Sequence, residues 1–198
     1  MQGLSEAIKY LYQQFILRDV VAYVTPGTIL VACALTVYLG NVKDALAFIK
    51  QIPAIGYVPI YGLLFITGLG IQYLGEMLKV LREHNRSTNE ERFAKLEEFH
   101  RATAAHQLKD GKSDYSGALE RTRERIEVKK YASGNIAAAM VISGILILVT
   151  RVFPFSGRWA LVSIGAILVV SLRQAHLQQV KNVTYLEDAA IKSQKGSV

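Results

Sequence analysis

The sequence predicts an all-α, polytopic membrane protein with four transmembrane helices and a cytoplasmic helical hairpin between spans 2 and 3. Four stretches carry no charged residue, namely 20–42, 51–75, 131–150 and 159–172, whereas a dense charged block fills 76–130. A hydrocarbon core about 30 Å thick needs roughly 20 apolar residues in helical form, so three stretches are long enough and the fourth is short. The 51% hydrophobic content, clustered in runs, agrees with this fold class.

Basic residues set the predicted orientation. The formal net charge of +7 would suit nucleic acid, but basic residues flanking spans are expected of any inner-membrane protein. With four spans, nineteen Lys and Arg fall on the side of the termini and the charged block, and four fall in the two short loops opposite. We therefore expect a multi-pass protein of the bacterial inner membrane, with both termini cytoplasmic and no direct nucleic-acid binding.

Residues 1–19 are predicted to form an amphipathic N-terminal helix. Its apolar side chains recur at spacings of three and four, the helical period, in Leu4, Ile8, Leu11, Tyr12 and Phe15. Such a helix lies flat among lipid headgroups or packs against a neighbouring subunit, and the sequence favours neither.

Residues 20–75 are predicted to form the first transmembrane hairpin. Arg18 and Asp19 mark its membrane boundary, and Tyr23, Pro26 and Gly27 follow within the first span. Proline lacks a backbone donor and clashes with the preceding turn, so a kink is expected there. The carbonyl that it frees needs a partner in lipid, so the kink should face protein or water, either as an ordinary bent helix or as a gate.

Two further features belong to this hairpin. Residues 41–53 are predicted to form a short interfacial helix that ends at Pro53. The apolar side chains of this helix are Ala45, Leu46, Phe48 and Ile49. In the second span, Thr67 and Gly70 offer a small-residue face that would let another helix approach closely.

The block 76–130 is predicted to form the cytoplasmic helical hairpin, with a turn over 110–113. Its thirteen basic and eleven acidic residues are mixed, which is typical of an exposed helix with many ion pairs. Its apolar stripes are thin, so the hairpin should pack against copies of itself or against a soluble partner. The partner-docking candidates are the apolar and basic side chains Arg92, Phe93, Leu96, Phe99, Arg121, Arg123 and Arg125.

Residues 131–176 are predicted to form the second transmembrane hairpin, and 177–198 a cytoplasmic C-terminal tail. Small residues at 137–139, with Ser143 and Gly144, favour close helix packing in the third span. Trp159 should anchor the fourth span at the outer interface.

The sequence predicts no enzyme, and no catalytic, cofactor-binding or metal-binding residue. No two of the four histidines are four residues apart, and the single cysteine, Cys33, lies in the first span. The middle of each span lacks ionisable residues, which argues against ion-coupled transport. A channel built from several copies would be lined by uncharged polar side chains such as Thr25, Thr28, Thr36, Ser143 or Thr150.

The pattern Phe15-x-x-Arg18-Asp19-x-x-x-Tyr23-x-x-Pro26-Gly27 resembles the start of small four-span bacterial membrane proteins of antiviral-defence loci. The plan of two spans, a charged helical hairpin and two more spans is similar to the membrane subunit of the Kiwa antiviral system. This resemblance implies a homo-oligomer, often a tetramer, that works with a cytosolic partner acting on nucleic acid. It carries over no catalytic residue.

Two hypotheses of function follow. In the first, the protein is a homo-oligomeric inner-membrane sensor or scaffold subunit in bacterial antiviral defence, surrounded by membrane lipid, whose cytoplasmic helices dock a soluble protein. In the alternative, it is a pore-forming or membrane-depolarising effector, for which the Pro26–Gly27 kink and the small-residue spans are the motivation.

Overall fold

The computed structural model describes residues 19–77, 89–110, 113–150 and 152–195. Within these residues the regular structure is helical throughout. The helices are α1 Thr25–Leu39, α2 Val42–Lys50, α3 Tyr57–Met77, α4 Asn89–Asp110, α5 Ser113–Val149 and α6 Phe155–Lys195. A π-helical turn over Val20–Val24 precedes α1, and a 3-10 turn over Ala54–Gly56 precedes α3. The predicted N-terminal helix, including Arg18, lies outside the described residues.

Four helical segments are long and apolar enough to cross a membrane, which confirms the prediction of an all-α fold with four apolar spans. They are Val20–Leu39, Ala54–Met77, Ala118–Val149 and Phe155–Ser193. Much of their apolar surface is exposed, and in the most apolar stretch of the fourth segment 0% of the residues are buried. Exposed apolar surface of this extent marks a membrane or protein contact. The chain is therefore built as a multi-pass membrane protein.

Local sequence signals explain where the first helices begin and end. Gly40 ends α1 in the left-handed conformation, with φ of 81°, which glycine adopts without steric cost. Asn41 then begins α2, because its side-chain Oδ1 accepts a hydrogen bond of 2.8 Å from the backbone N–H of Asp44. The helix predicted over 41–53 is thus observed as α2, and Pro53 follows it.

The chain divides into two compact units, of which unit 1 contains Met1–Arg82 and Tyr131–Ala175. Its buried cluster joins Ile71 of α3 to Ala138 and Ala139 of α5. The partly buried side chains Ile29, Leu30 and Ile142 pack against this cluster. Of the small residues predicted to allow close packing of the third span, Ala137, Ala138 and Ala139 are each 0% exposed and Ser143 is 7% exposed, whereas Gly144 is half-buried.

Two hydrogen bonds show that α5 runs parallel to the π turn and α1 in unit 1. Near the start of these segments, the side chain of Asn135 bonds the backbone of Ala22. Further along both segments, the Cys33 thiol donates to the backbone carbonyl of Ser143 at 3.7 Å. The residue numbers increase together in the two pairs. The last residues of α1 and α5, Leu39 and Val149, therefore lie at the same end of unit 1.

Unit 2 contains Glu83–Lys130 and His176–Val198. Its described helical segments are α4, the part of α5 up to Lys130, and the part of α6 from His176 onward. The buried apolar residues are Phe99 and Ala102 of α4 and Val183, Ala190 and Ile191 of α6. Residues 177–195, predicted as part of a C-terminal tail, therefore continue α6 and supply core side chains to this unit.

Candidate functional site

The first candidate site is the helical turn around Pro26, whose side chain is fully buried in unit 1. The backbone N–H of Thr25 bonds the carbonyl of Val20, and the Thr25 hydroxyl donates to the same oxygen at 3.0 Å. This wider closure forms the π turn over Val20–Val24. Because proline has no N–H, the carbonyl of Ala22, four residues before Pro26, lacks its usual α-helical donor.

The side chain of Asn135 supplies the missing donor. Its Nδ2 donates to the Ala22 carbonyl at 2.8 Å, and the residue is 0% exposed. A protein group, rather than lipid, thus faces the carbonyl that Pro26 leaves free. Among the residues that the structure describes, the Oδ1 of Asn135 has no hydrogen-bond partner. Burying such an amide costs free energy, and the bond to Ala22 offsets part of that cost.

Two glycines let α3 cross this same turn at very short range. A Cβ atom on Gly27 would lie 2.0 Å from the backbone oxygen of Leu64, and one on Gly68 would lie 2.0 Å from that of Tyr23. Only glycine permits this approach of backbone to backbone. The Tyr23 ring also packs edge-on against Phe65, with ring centroids 5.4 Å apart. The pairs show that α3 runs antiparallel to α1.

The structure brings together most of the residues predicted at the membrane boundary and kink. Tyr23 and Gly27 meet α3 at the crossing, Pro26 is buried in the same turn, and Asp19 precedes the π turn. The close approach, however, uses Gly68 and not the predicted face of Thr67 and Gly70. A Cβ on Gly70 would meet open space, and the Thr67 hydroxyl donates to its own helix at the Leu63 carbonyl.

The second candidate site is the charged core of unit 2, centred on Arg123 of α5. The Arg123 guanidinium contacts Glu127 at 2.9 Å and Glu187 of α6 at 3.0 Å. It also lies over the ring of Phe99 of α4, with the Cζ atom 5.5 Å from the ring centroid. The side chains of Arg123 and Glu187 are only 14% and 11% exposed. One arginine therefore connects all three helical segments of unit 2.

Two further contacts hold the same segments together. Lys95 of α4 pairs with Asp188 of α6 at 2.8 Å, with both side chains partly exposed. The Nδ1 of His176 lies 2.9 Å from the carbonyl oxygen of Lys130, and His176 is buried. A carbonyl oxygen only accepts, so Nδ1 carries the proton in this bond. The α6 segment is thus bonded to α4 and to α5.

The predicted partner-docking residues fall into two groups. Phe99 is 0% exposed and Arg123 is mostly buried beside it, so neither is accessible to a soluble partner in this structure. Arg121 and Arg125 are exposed on α5, and Leu96 is half-buried. The side chains of Arg92 and Phe93 lie outside the described part of the chain. The docking role of these residues stays a prediction, and in this structure Phe99 and Arg123 belong to the interior of unit 2, where Arg123 bonds Glu187 of α6.

Sequence reasoning did not single out Asn135 or Glu187. The signal for Asn135 was its amide within an otherwise apolar stretch, which in lipid demands a hydrogen-bond partner. The signal for Glu187 was its place among Val183, Ala190 and Ile191, which recur at helical spacing in the supposed tail. Both residues act through partners more than 60 residues away in sequence, at separations of 113 and 64.

The geometry of the two sites defines a class of protein. Among the residues that the structure describes, no group of three or more His, Cys, Asp and Glu side chains comes together. Comparison with protein-family models found no match, and searches of curated proteins and of solved structures found none either. The fold and the two sites define a helical, multi-pass membrane protein with a second helical unit held by ion pairs.

Proposed function

We propose that the protein is a homo-oligomeric sensor or scaffold subunit of the bacterial inner membrane, with unit 2 in the cytoplasm, where it docks a soluble partner. The observation that carries the proposal is the length of α5 and α6. Each is one uninterrupted helix that supplies residues to both units, with α5 spanning Ser113–Val149 and α6 spanning Phe155–Lys195. A continuous helix is a direct physical route by which a change at the apolar segments reaches the charged ones.

The surface proposed for docking is the exposed basic face of α5. Arg121 and Arg125 are four residues apart, so they lie on one face of the helix, and both are exposed. Arg123 points to the interior and is engaged with Glu127 and Glu187. A basic surface of this kind favours an acidic protein partner, because complementary charge speeds association and excludes wrong partners.

Affinity capture with charge-reversed variants tests the docking surface. The full-length protein, extracted in mild detergent, should retain its soluble partner, and Arg121→Glu with Arg125→Glu should reduce capture at least ~10-fold. The matched control is Lys181→Glu with Lys192→Glu, two exposed lysines of α6 in the same unit. Equal capture by the native chain and the α5 variant would contradict the docking proposal.

Exposed apolar surface supports the proposal of a homo-oligomer. A Cβ on Gly144 of α5 or Gly165 of α6 would meet open space, so these helix faces have room for a close neighbour. Side chains near them, such as Ile145 and Ile164, are 51% and 58% exposed. Native mass spectrometry of the detergent-solubilised protein should show several copies per particle. A monomer under conditions that preserve helix content would contradict this part of the proposal.

The proposed orientation rests on the distribution of Lys and Arg. Single-cysteine variants test it, with Cys33→Ala as the background and Lys50→Cys or Lys192→Cys as the labelled positions. In intact cells with a permeable outer membrane, an impermeant maleimide should label position 50 and not position 192. Labelling in the opposite pattern would reverse the topology.

The pore alternative receives less support from the hydroxyl groups of the apolar segments. Four of the five predicted lining residues donate to their own helix, since Thr25, Thr28, Thr36 and Thr150 bond backbone carbonyls four or five residues earlier. The fifth, Ser143, is 7% exposed within unit 1. Dye leakage from liposomes containing the assembled protein tests the alternative, and tight vesicles would count against it.

The place in antiviral defence is proposed on the resemblance of residues 15–27 and of the span plan. A neighbouring gene for a DNA-binding protein or a nuclease would support it. Phage challenge of cells with and without the locus gives the direct test, and equal plaque counts would contradict it.

A further inference from the structure

Both short connections of unit 1 lie at the same end of the unit. Because α1 and α5 run parallel, the segments that follow Leu39 and Val149 emerge together. Helix α3 runs antiparallel to α1, so it starts at this end as well. We call residues 40–56, 150 and 152–158 the α2 end of unit 1.

Helix α2 carries an exposed apolar stripe beside a basic stripe. Val42, Leu46 and Ile49 are 48%, 54% and 38% exposed, and their spacing of four and three places them on one face. Lys43 and Lys50, seven residues apart, lie together on the adjacent face. An apolar stripe bordered by lysines is the pattern of a helix that lies in the membrane interface, with its cations among the headgroups.

The second connection at the α2 end has the same chemistry. The rings of Phe155 and Trp159 pack edge-on with centroids 6.2 Å apart, and they are 70% and 50% exposed. The Arg158 guanidinium lies 5.9 Å from the centroid of the Phe155 ring. It also donates to the Thr150 carbonyl at 3.3 Å. Exposed aromatic rings with a neighbouring cation are typical of the interface between hydrocarbon and headgroups.

The α2 end is strongly basic. Among its described residues the cations are Lys43, Lys50 and Arg158, and the single acid is Asp44. Asp44 is engaged at the start of α2, where its backbone and carboxylate both bond the Asn41 side chain. The surplus of positive charge therefore stays available to an anionic ligand.

We propose that the α2 end of unit 1 binds anionic phospholipid headgroups, with α2 lying in the interface and Lys43 and Lys50 contacting the lipid phosphates. Two features favour a lipid as the ligand. The lysines of α2 complement an anionic headgroup, and the exposed apolar stripe of α2 lies in the chain between the apolar helices α1 and α3. The inference rests on the membrane location and not on the docking of a soluble partner. A failure here therefore leaves that docking proposal intact.

Tryptophan quenching by brominated lipids provides the experiment, because Trp159 is the only tryptophan of the chain. Phe48→Trp combined with Trp159→Phe moves this reporter to α2, at a position that is 51% exposed. The full-length reporter variant is reconstituted in phosphatidylcholine vesicles with 10–20 mol%, roughly, of either brominated phosphatidylglycerol or brominated phosphatidylcholine. Each cation near an anionic surface contributes about fivefold in lipid partitioning, so we expect clearly stronger quenching by the anionic lipid.

Matched variants assign the effect to the two lysines. Lys43→Gln with Lys50→Gln in the reporter chain should remove most of the difference between the two lipids, whereas Lys181→Gln with Lys192→Gln should leave it unchanged. Added sodium chloride at about 0.5 M should weaken the difference by screening. Equal quenching by both lipids, or an undiminished difference after the α2 substitutions, would overturn the proposal. Abolition by millimolar inorganic phosphate would also overturn it, since the site would then bind the free ion.

Discussion

The side-chain Nδ2 of Asn135 lies 2.8 Å from the carbonyl oxygen of Ala22, the group that Pro26 deprives of its backbone donor. A helical defect in one apolar segment is thus repaired by a side chain from another segment. The repair fixes the position of α5 against the π turn, because an amide and a carbonyl buried away from water are costly when they separate.

Asn135→Leu should destabilise unit 1 by about 1–3 kcal/mol, because it removes the donor and leaves the Ala22 carbonyl unsatisfied. Pro26→Ala should restore a backbone N–H that bonds the same carbonyl, so Asn135→Leu should cost much less in that background. Thermal unfolding of the full-length protein in detergent, followed by circular dichroism, measures both effects. Equal costs in the two backgrounds would show that Asn135 does not act through the freed carbonyl.

Gly68→Ala should loosen the crossing of α3 with the π turn, because the new Cβ would lie 2.0 Å from the Tyr23 backbone oxygen. Overpacking of this kind costs about 1–3 kcal/mol. Gly62→Ala and Gly70→Ala on the same helix meet open space, so they should be neutral or slightly stabilising. The comparison uses apparent melting temperatures in one detergent, and a similar shift for all three variants would refute the close-crossing argument.

Removing one partner of the ion pair of Arg123 with Glu187 should lower the stability of unit 2 strongly. Replacing both partners by apolar residues should lower it much less. Both side chains are largely buried, so Arg123→Met alone should destabilise unit 2 by about 3 kcal/mol, whereas Arg123→Met with Glu187→Leu should recover much of the loss. Lys95→Met, which removes a more exposed pair with Asp188, should cost less than about 1 kcal/mol.

Limited proteolysis of unit 2 in the full-length protein measures these differences. Lys181→Met, at an exposed position of α6 in the same unit, serves as the control and should leave the cleavage rate unchanged. If the double variant is cleaved as fast as Arg123→Met alone, the loss did not come from an uncompensated buried charge.

Truncation after Ala175 should open unit 2, because it removes the α6 segment that supplies Glu187 to Arg123 and Asp188 to Lys95. Amide protons of α4 should then exchange much faster in hydrogen–deuterium exchange mass spectrometry. Removal of the last three residues alone should leave α4 protected. Unchanged protection after the long truncation would show that α4 and α5 form a stable hairpin by themselves.

The elements that depend on local sequence were predictable, and those that depend on distant partners were not. Uncharged runs identified the four apolar helices, and the short helix predicted over 41–53 before Pro53 is observed as α2. Phe99 was predicted as a docking residue of the charged block, and it is buried. The sequence did not indicate that the helix after His176 would bond Lys95 and Arg123 of the same unit, because its mixed charges and few apolar residues resemble those of an exposed tail.

The glycine crossing shows the same limit. Gly62, Gly68 and Gly70 are alike in sequence, and only the path of α1 decides which of them meets a backbone. Asn135 was equally ambiguous, since an amide in an apolar run predicts a partner without saying which of three neighbouring segments provides it.

The dependence of Asn135 on Pro26 also bears on how this protein diverges over time. A substitution at Pro26 should change the requirement for Asn135, because both act on the carbonyl of Ala22. Ala22 and Asn135 are 113 residues apart in sequence. In descendants that lose Pro26, selection to keep Asn135 relaxes. Descendants that keep Pro26 but lose Asn135 require another hydrogen-bond donor for the Ala22 carbonyl. Substitutions at the two positions should therefore covary among distant homologues.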